Sequence, residues 1–317
     1  MKDKKIMIYR KYIVLLMVLF LVSCSNSESG KTGSSQGTQV ESTYFKVPAF
    51  FEGRIVFESN DDGDFDIYVL DKKGVNKITN NTWDDEYPMW SPDGMGIVFQ
   101  ANPKSKKDYD IFTMNADGSG VYPVLNTTDW EGDADFCSQD GKNIVYVRSE
   151  EQIYYYSLET KVSKPMEPEF KNKSIVPVWS AVNNNIVFTR KRMLGWDVAL
   201  YKSKTSEIQF LTDSGESCRA RWSHKGDRLA FVSSRADGKG DIWMMNADGS
   251  NQTRITTDDD AYDYYPTWSP DDAFIAYTSA THKTKGNWSL WLIEIKTGKK
   301  WKIYDSPGQE KFPDWTK

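Results

Sequence analysis

Apolar and polar residues alternate in short runs along most of this chain. Runs such as 97–99 (IVF), 144–146 (IVY) and 275–277 (IAY) have the two-residue period of half-buried β-strands. Between the runs lie polar segments with Asp-Gly, typified by NADGS at 115–119 and again at 246–250, which supply the left-handed backbone of tight hairpins. The pattern predicts an all-β fold.

The runs belong to a repeat. The segment YPMWSPDG at 87–94 returns as YPTWSPDD at 265–272, with weaker copies between them. Its aromatic positions 90, 136, 179, 222, 268 and 315 are 46, 43, 43, 46 and 47 residues apart. Each unit is long enough for four strands, and a single four-stranded sheet cannot bury both of its faces alone. Six such units therefore predict a six-bladed β-propeller of four-stranded antiparallel blades.

The two ends of the repeat region predict how the ring closes. The repeats begin at a second strand, 53–57 (GRIVF), and finish with an isolated first strand at 312–315 (FPDW). We therefore expect the C-terminal strand to complete the first blade and to leave no open sheet edge in the ring.

The N-terminus has the pattern of an export signal. Five basic residues precede an uncharged run at 12–23, which is short for a membrane span. The run ends in LVSC at 21–24, which resembles the lipobox of bacterial lipoproteins. This resemblance implies a signal peptide at 1–23, a lipid on Cys24 and anchoring to a bacterial membrane. Ser25 after the cysteine implies the outer membrane, where the organism has one.

Residues 24–43 are rich in Ser, Gly and Thr and have almost nothing to bury, which predicts a disordered tether before a propeller at 44–317. Without residues 1–23 the chain has 35 basic and 44 acidic side chains, which argues against a nucleic-acid partner. Cys137 and Cys218 fall in repeats that are not neighbours, so we expect both to be unpaired small core or strand residues, with no disulfide between them.

The repeat resembles that of the TolB-like propeller family, whose pattern P-x-W-S-P-D-G, I-A-F, D-I-Y, M-N-A-D-G-S and L-T recurs from about residue 50 to 317. The resemblance implies the fold. The propeller protein that gives the family its name has an α/β domain before the propeller, and propeller peptidases have an α/β-hydrolase domain after it. Because this chain has only a tether before its propeller and ends at Lys317, we expect neither a role in the Tol system nor peptidase activity.

Signals for catalysis and for cofactors are weak. The chain has two histidines, and no phosphate loop, Cys-x-x-Cys pair or nucleophile elbow. Asp62, Asp64 and Asp66 alternate like EF-hand ligands, but Ile67 and Lys73 stand where the motif requires Gly and Glu. We therefore predict no metal, no cofactor and no enzymatic activity.

The loops that lead into the predicted inner strands contain acidic and aromatic residues. Loops at equivalent repeat positions gather on one face of a propeller, so these residues form a candidate binding face. Its members are Trp83, Asp84, Asp85, Glu86, Trp130, Glu131, Asp133, Asp260, Tyr262, Asp263 and Glu310. The alternative interpretation is that the carboxylates only solubilise the loops and the rings pack beneath them.

These observations favour a cell-envelope lipoprotein that binds a protein or peptide through this face, without catalysis. The alternatives are a carbohydrate-binding protein and a propeller glycosidase or polysaccharide lyase. A glycosidase would need two carboxylates facing each other, roughly 5 to 10 Å apart.

Overall fold

A computed structural model describes residues 43–105, 108–149, 151–167, 172–284 and 286–317. The predicted signal peptide, Cys24 and nearly all of the tether lie outside these residues. In the described part of the chain, no helix has the length and apolar character needed to cross a bilayer.

The described residues form 25 β-strands in six sheets. In chain order these are β1 (Tyr44–Phe45), β2 (Arg54–Ser59), β3 (Asp66–Asp71), β4 (Gly74–Lys77), β5 (Asp85–Trp90), β6 (Gly96–Ser105), β7 (Asp108–Asn115), β8 (Tyr122–Leu125), β9 (Glu131–Phe136), β10 (Asn143–Arg148), β11 (Gln152–Ser157), β12 (Ser163–Pro165), β13 (Ser174–Trp179), β14 (Ile186–Lys191), β15 (Trp196–Lys202), β16 (Glu207–Phe210), β17 (Ser217–Trp222), β18 (Arg228–Ser233), β19 (Asp241–Asn246), β20 (Thr253–Arg254), β21 (Tyr262–Trp268), β22 (Phe274–Ala280), β23 (Ser289–Glu294), β24 (Lys300–Asp305) and β25 (Lys311–Thr316).

Each sheet is one blade. Blade 1 has the strand order β25-β2-β3-β4, blades 2 to 5 are β5 to β8, β9 to β12, β13 to β16 and β17 to β20, and blade 6 is β21 to β24 with β1 added at its outer edge. Neighbouring strands within each blade are antiparallel. The six-bladed, four-stranded prediction is confirmed, and the short fifth strand β1 is an addition to it.

The closure of the ring is also confirmed. Strand β25 pairs with β2, so that Arg54 lies opposite Thr316 and Val56 lies opposite Asp314. The blade that begins the repeat therefore takes its inner strand from the end of the chain, and the pairing joins the two ends by backbone hydrogen bonds.

The hydrophobic core lies between the blades. One cluster joins Ile55, Phe57 and Leu70 of blade 1 to Leu290 and Ile303 of blade 6, each of them fully buried. Other clusters join blades 1 and 2, blades 2 and 3, and blades 4 and 5 in the same way. Because a single sheet leaves one apolar face in water, adjacent blades stabilise each other by covering these faces.

Repeated tryptophans form hydrogen bonds between neighbouring blades. The indole N–H groups of Trp90, Trp222 and Trp268 donate to the backbone oxygens of Asp314, Val178 and Arg221, which belong to the preceding blades, at 3.1, 3.2 and 3.1 Å. We call the six residues at these repeat positions the anchor aromatics: Trp90, Phe136, Trp179, Trp222, Trp268 and Trp315.

The alternation of strand direction defines two faces of the ring. The loops that enter the inner strands and the hairpins between second and third strands lie on one face, which we call the loop face. The turns that follow the inner strands and the hairpins between third and fourth strands lie on the other, which we call the turn face. In a turn-face hairpin, Gly118 has φ +84°, and a Cβ there would lie 2.3 Å from the backbone oxygen of Ile78 in the preceding blade. Only glycine fits this position.

Substitution of Trp315 tests the closure. Its ring stacks on Phe51 at a centroid distance of 5.0 Å, its indole N–H donates to the backbone oxygen of Glu52 at 2.8 Å, and its exposed fraction is 4%. We expect Trp315→Ala to lower the free energy of unfolding by about 3–5 kcal/mol, measured by urea denaturation. The exposed aromatic Tyr122 is the matched control, because Tyr122→Ala should change this energy by less than about 0.5 kcal/mol. Equal effects of the two substitutions would contradict the closure.

Candidate binding face and channel floor

A β-bulge interrupts every inner strand at the same repeat position. In each blade the register of the inner strand shifts against the second strand. At the shift, one residue has a positive φ, between 48° and 55°. These six residues are Tyr87, Asp133, Val176, Arg219, Tyr265 and Phe312, each three positions before an anchor aromatic. A bulge re-aims the side chain that it carries.

The bulge residues meet across the ring, and we call the six of them the channel floor. The ring of Phe312 contacts Tyr87 and Tyr265, with centroid distances of 3.5 and 3.9 Å. The guanidinium carbon of Arg219 lies 5.1 Å from the Tyr265 ring and 6.0 Å from the Phe312 ring, a cation–π geometry. Four blades thus contribute to one aromatic and cationic cluster near the axis.

The other two floor residues are linked to each other. The carboxylate Oδ2 of Asp133 accepts a hydrogen bond from the backbone N–H of Val176 at 3.1 Å. The backbone N–H of Asp133 in turn donates to Oε1 of Gln100 at 3.0 Å. Asp133 therefore lies at the centre of the ring, where it connects blades 2, 3 and 4.

The predicted binding residues divide into two groups by burial. Trp83 and Asp260 are exposed, and Asp84, Trp130, Asp133 and Tyr262 are half-buried. In contrast, five residues of the predicted set are buried: Asp85, Glu86, Glu131, Asp263 and Glu310. The structure thus leaves Trp83, Trp130, Asp260 and Tyr262 accessible on the loop face, and we call these four residues the rim.

Asp84 is accessible in part but already engaged. Its Oδ1 accepts a hydrogen bond from the backbone N–H of Phe65 at 3.1 Å, and its Oδ2 accepts one from Nδ2 of Asn102 at 3.2 Å. Both contacts hold the loop in place.

Four of the buried carboxylates occupy one repeat position, two residues before the bulge. Each has a hydrogen bond to a Thr or Ser that follows the outer strand of the preceding blade. Thr127 Oγ1 donates to Glu131 at 2.5 Å and Ser306 Oγ donates to Glu310 at 2.5 Å, while Thr79 and Thr256 bond to Asp85 and Asp263. These carboxylates connect one blade to the next, and a ligand on the surface does not reach them.

Burial changes the acidity of these groups. Removal from water disfavours the charged form, which raises the pKa of Asp85 to about 7 and the pKa of Glu310 to about 8. Burial also raises the pKa of Glu131 and of Asp263. At neutral pH this network therefore contains protonated carboxyl groups.

A second buried pair lies between blades 1 and 2. Oε2 of Glu58 accepts a hydrogen bond from the backbone N–H of Tyr87 at 2.9 Å, and Oε2 of Glu86 accepts one from Gln100 at 3.2 Å. Burial, with the neighbouring carboxylate Asp84, raises the pKa of Glu86 to about 7. Lys311 adds a positive charge near both glutamates. The exposed fractions of Glu58 and Glu86 are 2% and 6%, so this pair also lies below the surface.

The acidic triad Asp62, Asp64 and Asp66 contains its own counter-ion. Ligand-type oxygens of the three carboxylates lie within 4.8 Å of one another. The ammonium of Lys77 lies 2.5 Å from an oxygen of Asp62 and 2.6 Å from an oxygen of Asp66. Lys77 thus supplies a positive charge to two of the three carboxylates.

Sequence reasoning missed five of the six floor residues, since only Asp133 was in the predicted set. A signal was present, because all six precede an anchor aromatic by three positions. Alignment of the repeats would have collected them. Their meeting at the axis could not be read from the pattern, because it depends on the positive φ at the bulge.

Burial of Glu310 in this network predicts that the stability of the protein depends on pH. Its folded pKa, about 8, lies above the ordinary 4.5, so its contribution to stability is complete below about pH 4.5 and is lost as the pH rises toward 8. The amide in Glu310→Gln is neutral at every pH and resembles the protonated acid. We expect this variant to lose less stability than the wild type between about pH 5 and pH 8, measured by urea denaturation.

The control for this prediction is Glu159→Gln, because the Glu159 side chain is 73% exposed. This substitution should leave the pH dependence of unfolding as in the wild type. Identical slopes for Glu310→Gln and the wild type would refute the role of Glu310.

Comparisons with known proteins agree with the fold. No family model matches the sequence. The Tol-Pal system protein TolB of Francisella tularensis subsp. mediasiatica is 26% identical over 237 residues, which covers 69% of this chain and 52% of the relative. The chain thus spans about half the length of the curated relatives that it matches.

Solved structures give the same result. TolB from Acinetobacter baumannii superposes with a TM-score of 0.70 at 17% identity, covering 85% of this chain and 68% of that one. A putative TolB from Agrobacterium tumefaciens gives 0.62 at 18% identity, covering 84% and 100%. An oligogalacturonate lyase in complex with manganese gives 0.52 at 12% identity, covering 79% and 73%. With its repeat motifs, its closed ring and these relatives, the chain is a six-bladed β-propeller that is similar to TolB.

Proposed function

We propose that this chain is an exported lipoprotein of the cell envelope, anchored through Cys24, that binds a protein or peptide on the loop face of its propeller without catalysis. Its curated relatives are named Tol-Pal system proteins, which supports an envelope location and a protein partner. By the sorting pattern at Ser25, the anchor is in the outer membrane where the organism has one.

The observation that carries the proposal is the surface formed by the rim. Trp83 has an exposed fraction of 36%, Asp260 is exposed, and Trp130 and Tyr262 are half-buried. Tryptophan and tyrosine dominate the binding energy of protein interfaces, because they remove large flat areas from water at little cost in conformational entropy. The rim carboxylate of Asp260 adds selectivity for basic partners.

The buried carboxylates support binding over glycoside hydrolysis. Hydrolysis needs one carboxyl group to protonate the leaving oxygen and another to attack or to activate water. Asp85, Glu131, Asp263 and Glu310 are at most 1% exposed and have hydrogen bonds to residues that follow the outer strand of the preceding blade. Their positions favour a structural role, and they leave Asp84, Asp133 and Asp260 as the accessible carboxylates of the predicted set.

Rim substitutions test the binding face. The variant combines Trp83→Ala, Trp130→Ala, Asp260→Asn and Tyr262→Ala. It keeps the four buried carboxylates and their Thr and Ser partners, and it removes the side-chain hydrogen bond between Trp83 and Asp85. We expect affinity capture with covalent crosslinking from intact envelopes to recover one protein with the wild type, and at least about tenfold less of it with this variant, measured by quantitative mass spectrometry.

The matched control combines Met95→Ala and Tyr122→Ala, two exposed apolar side chains of the turn face, and should capture the partner like the wild type. Equal urea midpoints for all three proteins ensure that folding is not the cause. Capture that is unchanged in the rim variant, or reduced equally in the control, would disprove binding at the loop face.

The anchor is tested separately by Cys24→Ser. A lipid held on the thiol of Cys24 would keep the wild type with the membranes, and its removal leaves no covalent acyl chain. We expect wild-type protein in the membrane fraction with an acylated N-terminal peptide, and Cys24→Ser protein in the soluble fraction, measured by fractionation and mass spectrometry. Membrane association that survives Cys24→Ser would reject the lipid anchor.

A further inference from the structure

The contact regions between neighbouring blades, which we call seams, differ in how closely the anchor tryptophan is covered. The guanidinium of Arg54 lies 4.5 Å from the Trp90 ring, and its Nη2 donates to the backbone oxygen of Gly94 at 2.6 Å. Arg228 repeats this arrangement, at 4.7 Å from Trp268 with a hydrogen bond of 3.2 Å to the backbone oxygen of Asp272. Both arginines begin the second strand of a blade and cover the anchor tryptophan of the next one.

Asn143 occupies this repeat position in blade 3 and is too short to form the clamp. The anchor opposite it, Trp179, is half-buried, whereas Trp90 and Trp268 are only 5% and 1% exposed. Within the described residues, neither the indole N–H of Trp179 nor the side-chain amide of Asn143 has a hydrogen-bond partner in the protein. The seam between blades 3 and 4 is therefore open where two other seams are closed.

A groove lies at this opening, on the turn face of the ring. Its volume is about 660 Å³, and its walls include Cys137, Asn143, Tyr155 and Trp179. A second depression of about 590 Å³ shares Cys137, Asn143 and Tyr155 with it and continues along blade 3 to Lys164. Volumes of this size are typical of small-molecule sites. Gln139 bridges the two blades at the edge of the groove, where its Nε2 donates to the backbone oxygen of Ala181 at 2.8 Å.

The wall residues Cys137, Asn143, Tyr155 and Trp179 carry no charge, and Asp140 is the ionised side chain among the residues that line the groove. Cys137 is a free thiol, as expected, whereas Cys218 is disulfide-bonded and not unpaired. Burial and the negative charge of Asp135 raise the pKa of the Cys137 thiol, which keeps it protonated and unreactive. Burial likewise raises the pKa of the half-buried Tyr155. The carboxylate of Asp140 is already engaged by the Ser138 hydroxyl at 2.6 Å and by the backbone N–H of Lys142 at 3.1 Å.

These properties select one class of ligand. A phosphate or carboxylate ligand would require arginine or lysine at the centre of the groove, and Lys164 lines only its far part. A purely apolar ligand would bury the Asn143 amide and the Trp179 N–H without partners, at a cost in free energy. A sugar ring satisfies both requirements, because its C–H face packs on flat aromatic rings and its hydroxyls pair with an amide and an N–H.

We propose that the groove between blades 3 and 4 binds a short neutral oligosaccharide, with the rings of Tyr155 and Trp179 as its platforms and the Asn143 amide as its main polar contact. The groove lies on the turn face and the rim lies on the loop face, so this site is independent of the proposed protein partner. Both ligands can be bound together, which would link a glycan to an envelope protein.

The experiment is isothermal titration calorimetry of the full chain with neutral cello-, malto- and N-acetylchito-oligosaccharides of two to four units. We expect at least one series to bind with Kd of about 1 mM or tighter. Asn143→Ala should weaken binding at least about tenfold, because the amide contact is lost. Asn143→Arg should abolish binding, because its guanidinium would cover Trp179 as Arg54 covers Trp90, and this variant should be at least as stable as the wild type toward urea.

The rim variant is the control, and it should bind sugar like the wild type. The proposal is overturned if no sugar of the three series binds the wild type at about 10 mM, or if binding persists in Asn143→Arg. Loss of sugar binding in the rim variant would also overturn it, because it would place the sugar on the loop face. Partner capture and sugar binding are separate measurements, so either proposal can fail while the other stands.

Discussion

The pairing of the last strand with the first strand of the repeats holds this structure together. Without β25 on β2, blade 1 would lack its inner strand and the ring would open. The same strand carries Phe312, whose ring contacts Tyr87 and Tyr265 near the axis. Since adjacent blades cover each other's apolar faces, closure of the ring is also the condition for a complete core.

The inner strands impose a second constraint, because each one bends at a bulge. Two residues before the bulge, a carboxylate such as Asp85, Glu131 or Glu310 is turned into the protein, where it bonds to Thr or Ser of the preceding blade. At the bulge itself, the side chain points to the axis. Successive residues of such an acidic loop thus lie in three environments. The first residues lie at the surface, the next carboxylate lies between two blades, and the bulge residue lies in the channel floor.

Divergence between the repeats creates the features that distinguish one sector from another. Arg54 and Arg228 cover the anchor tryptophans of two seams, whereas Asn143 leaves Trp179 open in a third. The open seam borders blade 3, the unit that retains the fewest repeat motifs. A propeller tolerates such loss because neighbouring blades and ring closure hold the weaker one in place, and the freed surface becomes available to a ligand.

The sequence by itself determined the number of blades, the order of their strands, the closure by the C-terminal strand and the loops that share a face. These follow from strand periodicity, turn residues and repeat spacing, all of which are local. Only the tertiary structure decided that Trp83 is exposed while Asp85 is buried, that Arg219 meets Phe312, and that Trp179 is left open. Each of these depends on a bulge geometry or on a side chain from another blade, far away in the chain, and strand periodicity records neither.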